Sequence, residues 1–269
     1  MSLRRNRVPR EIHALALSAT LSDEGTPVTM PAPVILHGRI ARLEPLAPHH
    51  VPGLSAASAA LDGPAGFTVV PHGEQEARTY VFQAEAAQLA GTALAFAIVT
   101  IADECVVGAT RFTRLDYWQG PLNWPLSAEP VTSLPGGAIP DAVEIGNTWL
   151  TPAVRGGQVN LDAKLLLLTH AFDSWGVRRV TLRADARNLR SRAAIERLGA
   201  VSDGVRRAHS RGLDGAVRDT AFYSILRDEW PGVRGRIIEQ LAARAALRRA
   251  PLIPATVAAL RPLASSPIG

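Results

Sequence analysis

The spacing of apolar and polar positions changes several times along the chain, and each change marks an element. Residues 34–46 read as a first strand. Residues 48–60 form a helix with Pro48 in its first turn, and 74–90, with Ala77, Val81 and Ala84 in step, form a second. An apolar run at 94–101 turns at Ala102-Asp103-Glu104 and returns at 105–115, a hairpin. Residues 116–140 hold Pro121, Pro125, Pro130, Pro135, Gly136, Gly137 and Pro140 and read as one long loop, a length associated with function. That loop carries Tyr117, Trp118 and Trp124, which could wall an acceptor slot, meet a second subunit or fasten the loop. After a strand at 143–150, a helix is expected at 161–175. Leu161, Leu165, Leu168, Phe172 and Trp175 share one face, with Asn160 as its N-cap and Gly176 as its stop. A strand follows at 179–184, with Val180 and Leu182 inward. Asn188 then caps a short helix, 189–198, that ends at Gly199. Residues 201–209 and 216–226 pair antiparallel around Leu213-Asp214-Gly215, and 228–249 is an amphipathic helix. Residues 1–33 and 250–269 lack periodicity and are expected to be a flexible extension and a disordered tail.

Composition narrows the class. A chain of 269 residues, 47% hydrophobic, can bury a core without staples. Its one cysteine, Cys105, excludes an intrachain disulfide, fits a reducing compartment and, lying in an apolar run, is expected to be a small buried hydrophobe. No apolar run reaches the roughly 18 residues of a membrane span. The basic N-terminus lacks an apolar signal core, so a cytoplasmic protein is expected. The histidines show no ligand spacing, and no metal is expected.

Charge adds a direction. The formal net charge is +5, and Arg178, Arg179, Arg183, Arg187, Arg190, Arg192 and Arg197 crowd one segment. Such a surface suits a polyanion, either nucleic acid or a phosphate-rich cofactor. The turn Arg155-Gly156-Gly157-Gln158-Val159-Asn160, where a strand hands over to a helix, can aim backbone N–H groups and a helix N-terminus at phosphate.

Five blocks, in order and spacing, resemble the GCN5-related N-acetyltransferase (GNAT) superfamily, and within it the RimJ/RimL-like ribosomal-protein acetyltransferases. They are residues 39–46, the strand block 144–150, the turn 155–160 with Ala163-Lys164, residues 188–200, and residues 218–226. The resemblance covers roughly 34–233. It implies an α/β (α+β) domain at 34–227, built on a mixed, twisted central sheet with splayed strands flanked by helices, and the C-terminal helix and both tails as additions.

The resemblance also implies acetyl-CoA as co-substrate. Its pyrophosphate would sit on Arg155, Gly156, Gly157, Gln158, Val159 and Asn160, and its pantetheine arm along the backbone of Trp149, Leu150 and Thr151. Asn188 matches the family asparagine that hydrogen-bonds that arm, and Ser191 matches a serine proposed as the acid in the RimJ/RimL-like branch; its alternative is N3 polarity of the helix or a hydrogen bond to the cofactor without proton transfer. Ile195 stands where many members carry a tyrosine, and Gln158 where they carry glycine. If position 158 needs a positive φ, glutamine costs on the order of 1 kcal/mol there.

Acetyl transfer to an amine needs a proton acceptor for the amine and a donor for the thioester oxygen, but no covalent nucleophile. Glu144 on the central strand is the first candidate base, and its alternative is an ion pair with an arginine. His209 is the second candidate. The acceptor, a protein N-terminus or a small amine, is set by segments 61–75 and 116–140. A homodimer is possible, nucleic acid is disfavoured and no membrane is involved. Two other classes remain: a GNAT-fold protein that binds acyl-CoA without catalysis, and a basic RNA- or ribosome-binding protein.

Overall fold

The computed structural model describes residues 32–61, 66–118 and 139–249. Its strands are β1 (Leu36–His37), β2 (Ala41–Pro45), β3 (Ala93–Thr100), β4 (Val106–Asp116), β5 (Ala142–Leu150), β6 (Arg179–Asp185), β7 (Val201–Arg211) and β8 (Val217–Leu226). They form one sheet in the order β1-β2-β3-β4-β5-β6-β8-β7, antiparallel except for the parallel pair β5 and β6. Helices α1 (Val51–Ala59) and α2 (Gly73–Leu89) cover one face. Helices α3 (Val159–Thr169), α4 (Leu189–Leu198) and α5 (Trp230–Arg249) pack against the other.

The period of two in β3 shows how the layers are made. Leu94, Phe96 and Ile98 point to the α3 side, while Ala95, Ala97 and Val99 point to the α1/α2 side, and the whole strand is buried. Small residues on the second face let α1 and α2 lie close to the sheet.

Two irregularities in β5 create the site. First, β5 pairs with β6 only through Ala142, Val143 and Glu144, so the strands part beyond Glu144. Second, the register against β4 slips: Ala109 faces Trp149 and Arg111 faces Gly146, which places Asn147 and Thr148 opposite Thr110. Asn147 takes φ +49° there. The extra residue inverts the alternation. Val143 and Ile145 face the α3 side before the bulge; after it Leu150 does, while Trp149 turns to the α1/α2 side.

Several expectations need correction. The run 34–46 is two short strands with a turn at 38–40, because the Ile40 and Ala41 N–H groups are taken by the Asp162 carboxylate of α3, at 2.8 and 3.0 Å. The helix expected at 161–175 starts at Val159, with Gln158 and not Asn160 as its N-cap, and its last turn, His170–Ser174, is a π-turn. Cys105 is exposed, since it lies in the turn before β4 rather than within the strand. Helix α5 packs through Trp230, Val233, Ile237 and Leu241 on the common core with α3 and α4. Trp124, the N-terminal extension and the C-terminal tail lie outside the described residues.

Candidate active site

Where β5 and β6 part, a cavity of about 360 Å³ opens. Gly146 to Leu150, the 155–157 turn, Asn160, Lys164, Asn188 and Ser191 line it, and Arg183 stands at its inner wall. Four arginines, Arg155, Arg190, Arg197 and Arg244, line it too, and none of them has a carboxylate partner among the described residues. Arg155 and Arg190 are close enough that, after burial, their mutual repulsion also lowers the Arg155 pKa. Guanidiniums gathered without counter-ions fit a ligand that brings several negative charges.

The turn itself is well made. Gly156 holds φ +70°, a left-handed conformation glycine adopts without a Cβ penalty. Gln158 has φ −88°, so the strain foreseen for glutamine does not arise. Its side chain is buried and donates Nε2–H to the Leu241 carbonyl of α5 at 2.7 Å. Arg244 of α5 donates to the carbonyls of Gly156 and Gly157 at 3.0 Å each. The C-terminal helix therefore holds the turn from behind. Helical bonding in α3 begins with the Asp162 N–H, given to Gln158 O at 2.9 Å, while within the turn before it the Arg155 and Gly157 N–H groups bond Pro152 O and Val154 O at 3.1 and 3.3 Å. Arg155 Nε also donates to the Leu150 carbonyl at 2.9 Å, tying the turn to the end of β5.

The other anticipated cofactor residues fall around this cavity. Trp149 and Leu150 line it from β5, and the buried Thr151 closes the strand by donating its N–H to Val107 O at 2.8 Å. Val159 is buried in the core beneath the turn rather than in the lining. Asn160 Oδ1 is buried without a hydrogen-bond partner among the described residues, an acceptor facing a site that lacks a donor. Asn188 caps α4 by accepting the Ser191 N–H on Oδ1 at 3.1 Å, which keeps its amide N–H groups available at the cavity. Ile195 is buried in the wall where a phenol was not expected. Tyr223 spends its hydroxyl elsewhere, donating to Glu196 and accepting from Arg192.

The structure adds Lys164. Of the 29 lysines and arginines in the chain, Lys164 is the single lysine. It is buried, lines the cavity, and donates Nζ–H to Thr148 Oγ1 at 2.8 Å, which in turn meets Thr110 Oγ1 at 2.8 Å across the bulge. It has no ion-pair partner among the described residues, and burial brings its pKa down to about 7. An arginine there would stay charged and would need more room; a lysine can lose its proton. Its solitary status was the signal available in the sequence.

A second, open cavity of about 590 Å³ lies on the other side of the fork and shares Arg183 with the first. Glu144 and His209, the two candidate bases, both line it. Glu144 is 3% exposed; Arg183 Nε stands 2.7 Å from one of its oxygens and Arg114 Nε 3.4 Å from the other. Burial raises the Glu144 pKa above the usual carboxylate value, and the guanidiniums only partly offset it. His209 Nδ1 lies 3.0 Å from Thr220 Oγ1. Burial, and then Arg183, Arg206, Arg114 and Arg218, lower its pKa and favour neutral imidazole.

One group has metal-ligand geometry among the described residues, Glu44 with His49 and His50, which the sequence reading passed over. His50 Nδ1 accepts the Ala47 N–H at 3.1 Å, so in the neutral ring the proton sits on Nε2, which faces Glu44 at 3.1 Å. A protonated nitrogen has no lone pair for a metal, and the group is a clasp at the start of α1.

A strand pair that forks beside a helix N-terminus, with a cavity on each side, is the splayed-sheet arrangement that the acetyltransferase resemblance implied. Residues 41–201 match the Acetyltransferase (GNAT) domain, and the chain belongs to that family. A GCN5-related N-acetyltransferase from Brucella melitensis superposes with a TM-score of 0.65 and 28% identity, over 78% of this chain and 86% of that one. RimJ from Mycobacterium smegmatis, solved with CoA-disulfide, superposes with a TM-score of 0.60 at 20% identity, over 79% and 96% of the two chains, a likeness of fold. The Bacillus subtilis protein named "Putative ribosomal N-acetyltransferase YdaF" is 34% identical over 89 residues. The match takes in 33% of this chain and about half, 48%, of YdaF.

Proposed function

We propose that the protein is an acetyl-CoA-dependent N-acetyltransferase that moves an acetyl group to a primary amine, on a protein N-terminus or a small molecule, in the cytoplasm. One observation carries this reading: two polar cavities share Arg183, where β5 and β6 part, one lined by four arginines without carboxylate partners among the described residues and the other holding two candidate bases. The YdaF match makes a ribosomal protein the first protein acceptor to test.

When bound, acetyl-CoA supplies an acetyl group already activated as a thioester. Arg155, Arg190, Arg197 and Arg244 neutralise its phosphates, and the N-terminus of α3 adds backbone donors and a favourable dipole. Asn160 Oδ1 and the Asn188 amide offer an acceptor and a donor to the amide-bearing arm. On the far side the amine must be neutral to attack. Glu144, made more basic by burial, receives its proton directly or through water. His209 is a second acceptor, favoured by a neutral ring whose Nε2 has no hydrogen bond among the described residues. Ser191, in the lining of the same cavity, would give a proton to the departing sulfur.

Calorimetric titration of acetyl-CoA into the full chain tests this. Micromolar binding is expected, about tenfold weaker in Arg244→Gln, where a charge-assisted contact is lost, followed by release of CoA thiol with an amine. Absence of binding overturns the reading.

A further inference from the structure

The acceptor cavity is rich in guanidinium. Arg114, Arg179, Arg183 and Arg206 line it, with Arg218 close enough to act on both Glu144 and His209. Its carboxylates do not cancel them. Glu144 is shared between Arg183 and Arg114, Asp116 stands 3.6 Å from Arg179, and Asp203 accepts a hydrogen bond from Ser224 at 2.9 Å. Arg206 has no ion pair among the described residues.

The backbone is bent to bring this about. The β4 register slips between Thr113 and Asp116, with Arg114 at φ +49°, and the β7 register slips between Arg206 and Ser210, with Ala208 at φ +47°. Left-handed backbone is unfavourable for a residue with a Cβ. These two lie on strands flanking one cavity, in bulges that redirect Arg114 on one side and His209 on the other.

We propose that the acceptor is an amine that carries an anion, a carboxylate or phosphate, held by Arg114, Arg179 and Arg206 while its nitrogen lies between Glu144 and His209. This rests on the acetyltransferase reading of the same site. The field near the bases also keeps a plain cationic amine out, since four guanidiniums oppose it. An anion on the acceptor offsets that repulsion. The source of the anion can be an acidic peptide N-terminus or a small acidic amine.

The test uses the full chain with saturating acetyl-CoA and matched acceptors: the C-terminally amidated peptides Ser-Glu-Glu-Ala and Ser-Gln-Gln-Ala, and phosphoethanolamine and ethanolamine. We expect kcat/KM to favour the acidic member of at least one pair by about tenfold or more, with the preference shrinking in high salt. The pair that shows it identifies the source. Arg206→Glu, on an exposed strand, should collapse the acid-to-neutral ratio about tenfold, and Arg179→Gln should lower it less. A separate arm measures binding of the acetylated peptides to the CoA-loaded protein by calorimetry. An acidic preference in binding without any turnover keeps the anion site and overturns the acetyltransferase reading. Equal or better use and binding of the neutral members overturns the anion site.

Discussion

Gln158, in the turn before α3, donates its side-chain amide to the Leu241 carbonyl of the C-terminal helix, 2.7 Å away and 83 residues later in the chain. This tie makes a turn that departs from the family's glycine pattern a braced turn. Replacing Gln158 by glycine should therefore harm the protein rather than restore it. The loss of a buried hydrogen bond and the added backbone freedom sum to roughly 2 kcal/mol. Thermal unfolding should show a lower Tm, and calorimetry a weaker acetyl-CoA affinity. Tighter binding by Gln158→Gly would refute the brace.

Lys164 offers a titration that can be watched alone. As the single lysine, it can be dimethylated with ¹³C-formaldehyde together with the N-terminal amine and followed by NMR, and the resonance that disappears in Lys164→Met should titrate near pH 7 rather than near 10.5. Its folded pKa lies below its unfolded one, so the unfolded state binds more protons between about pH 7 and 10.5, and stability should rise with pH across that window. Lys164→Met should be most stabilised relative to wild type below pH 7 and lose that advantage as pH rises. A pH-independent difference would mean the amine is not desolvated.

The two candidate bases separate by pH profile. Glu144→Gln should lower kcat by about 10²-fold or more if Glu144 takes the proton, a usual range for general-base loss. If His209 does, His209→Asn should do so instead. The acid limb of the wild-type profile should then fall below the ordinary histidine value of about 6.5, because burial and four arginines depress it. Steady-state rates from pH 5 to 9 on both variants decide between them.

Asp162 joins the first hairpin to α3 through two backbone N–H groups. Asp162→Ala leaves both without an acceptor, at about 2–4 kcal/mol. Denaturant unfolding should show that loss, while Asp162→Asn, which keeps an acceptor, should recover part of it.

The strand-turn-helix order and the α/β architecture were legible in the sequence, because hydrophobic period and short turn chemistry are local, and most of the residues named there for a cofactor line one cavity. The same locality explains the misses. Asn160 looked like the better cap by residue type, yet Gln158 takes the position because α5 supplies a partner for its side chain. Cys105 sat in an apolar run, but the strand begins one residue later, and this leaves it in an exposed turn. Residues 34–46 lacked a turn signal strong enough to outweigh their apolar pattern, and the break comes from the Asp162 carboxylate on a distant helix.

By itself the sequence determined most of the elements, their family pattern and a glycine-bearing turn between strand and helix, since these follow from neighbours a few positions apart. Tertiary structure alone decided that β5 leaves β6 after Glu144, that a bulge at Asn147 inverts the strand's faces, and that the one lysine lies beneath it. It also decided that arginines from β4, β6 and β7 meet around Glu144 and His209. Those arrangements depend on register between strands far apart in the chain, and a one-residue slip, which no local pattern records, moves every side chain to the opposite face.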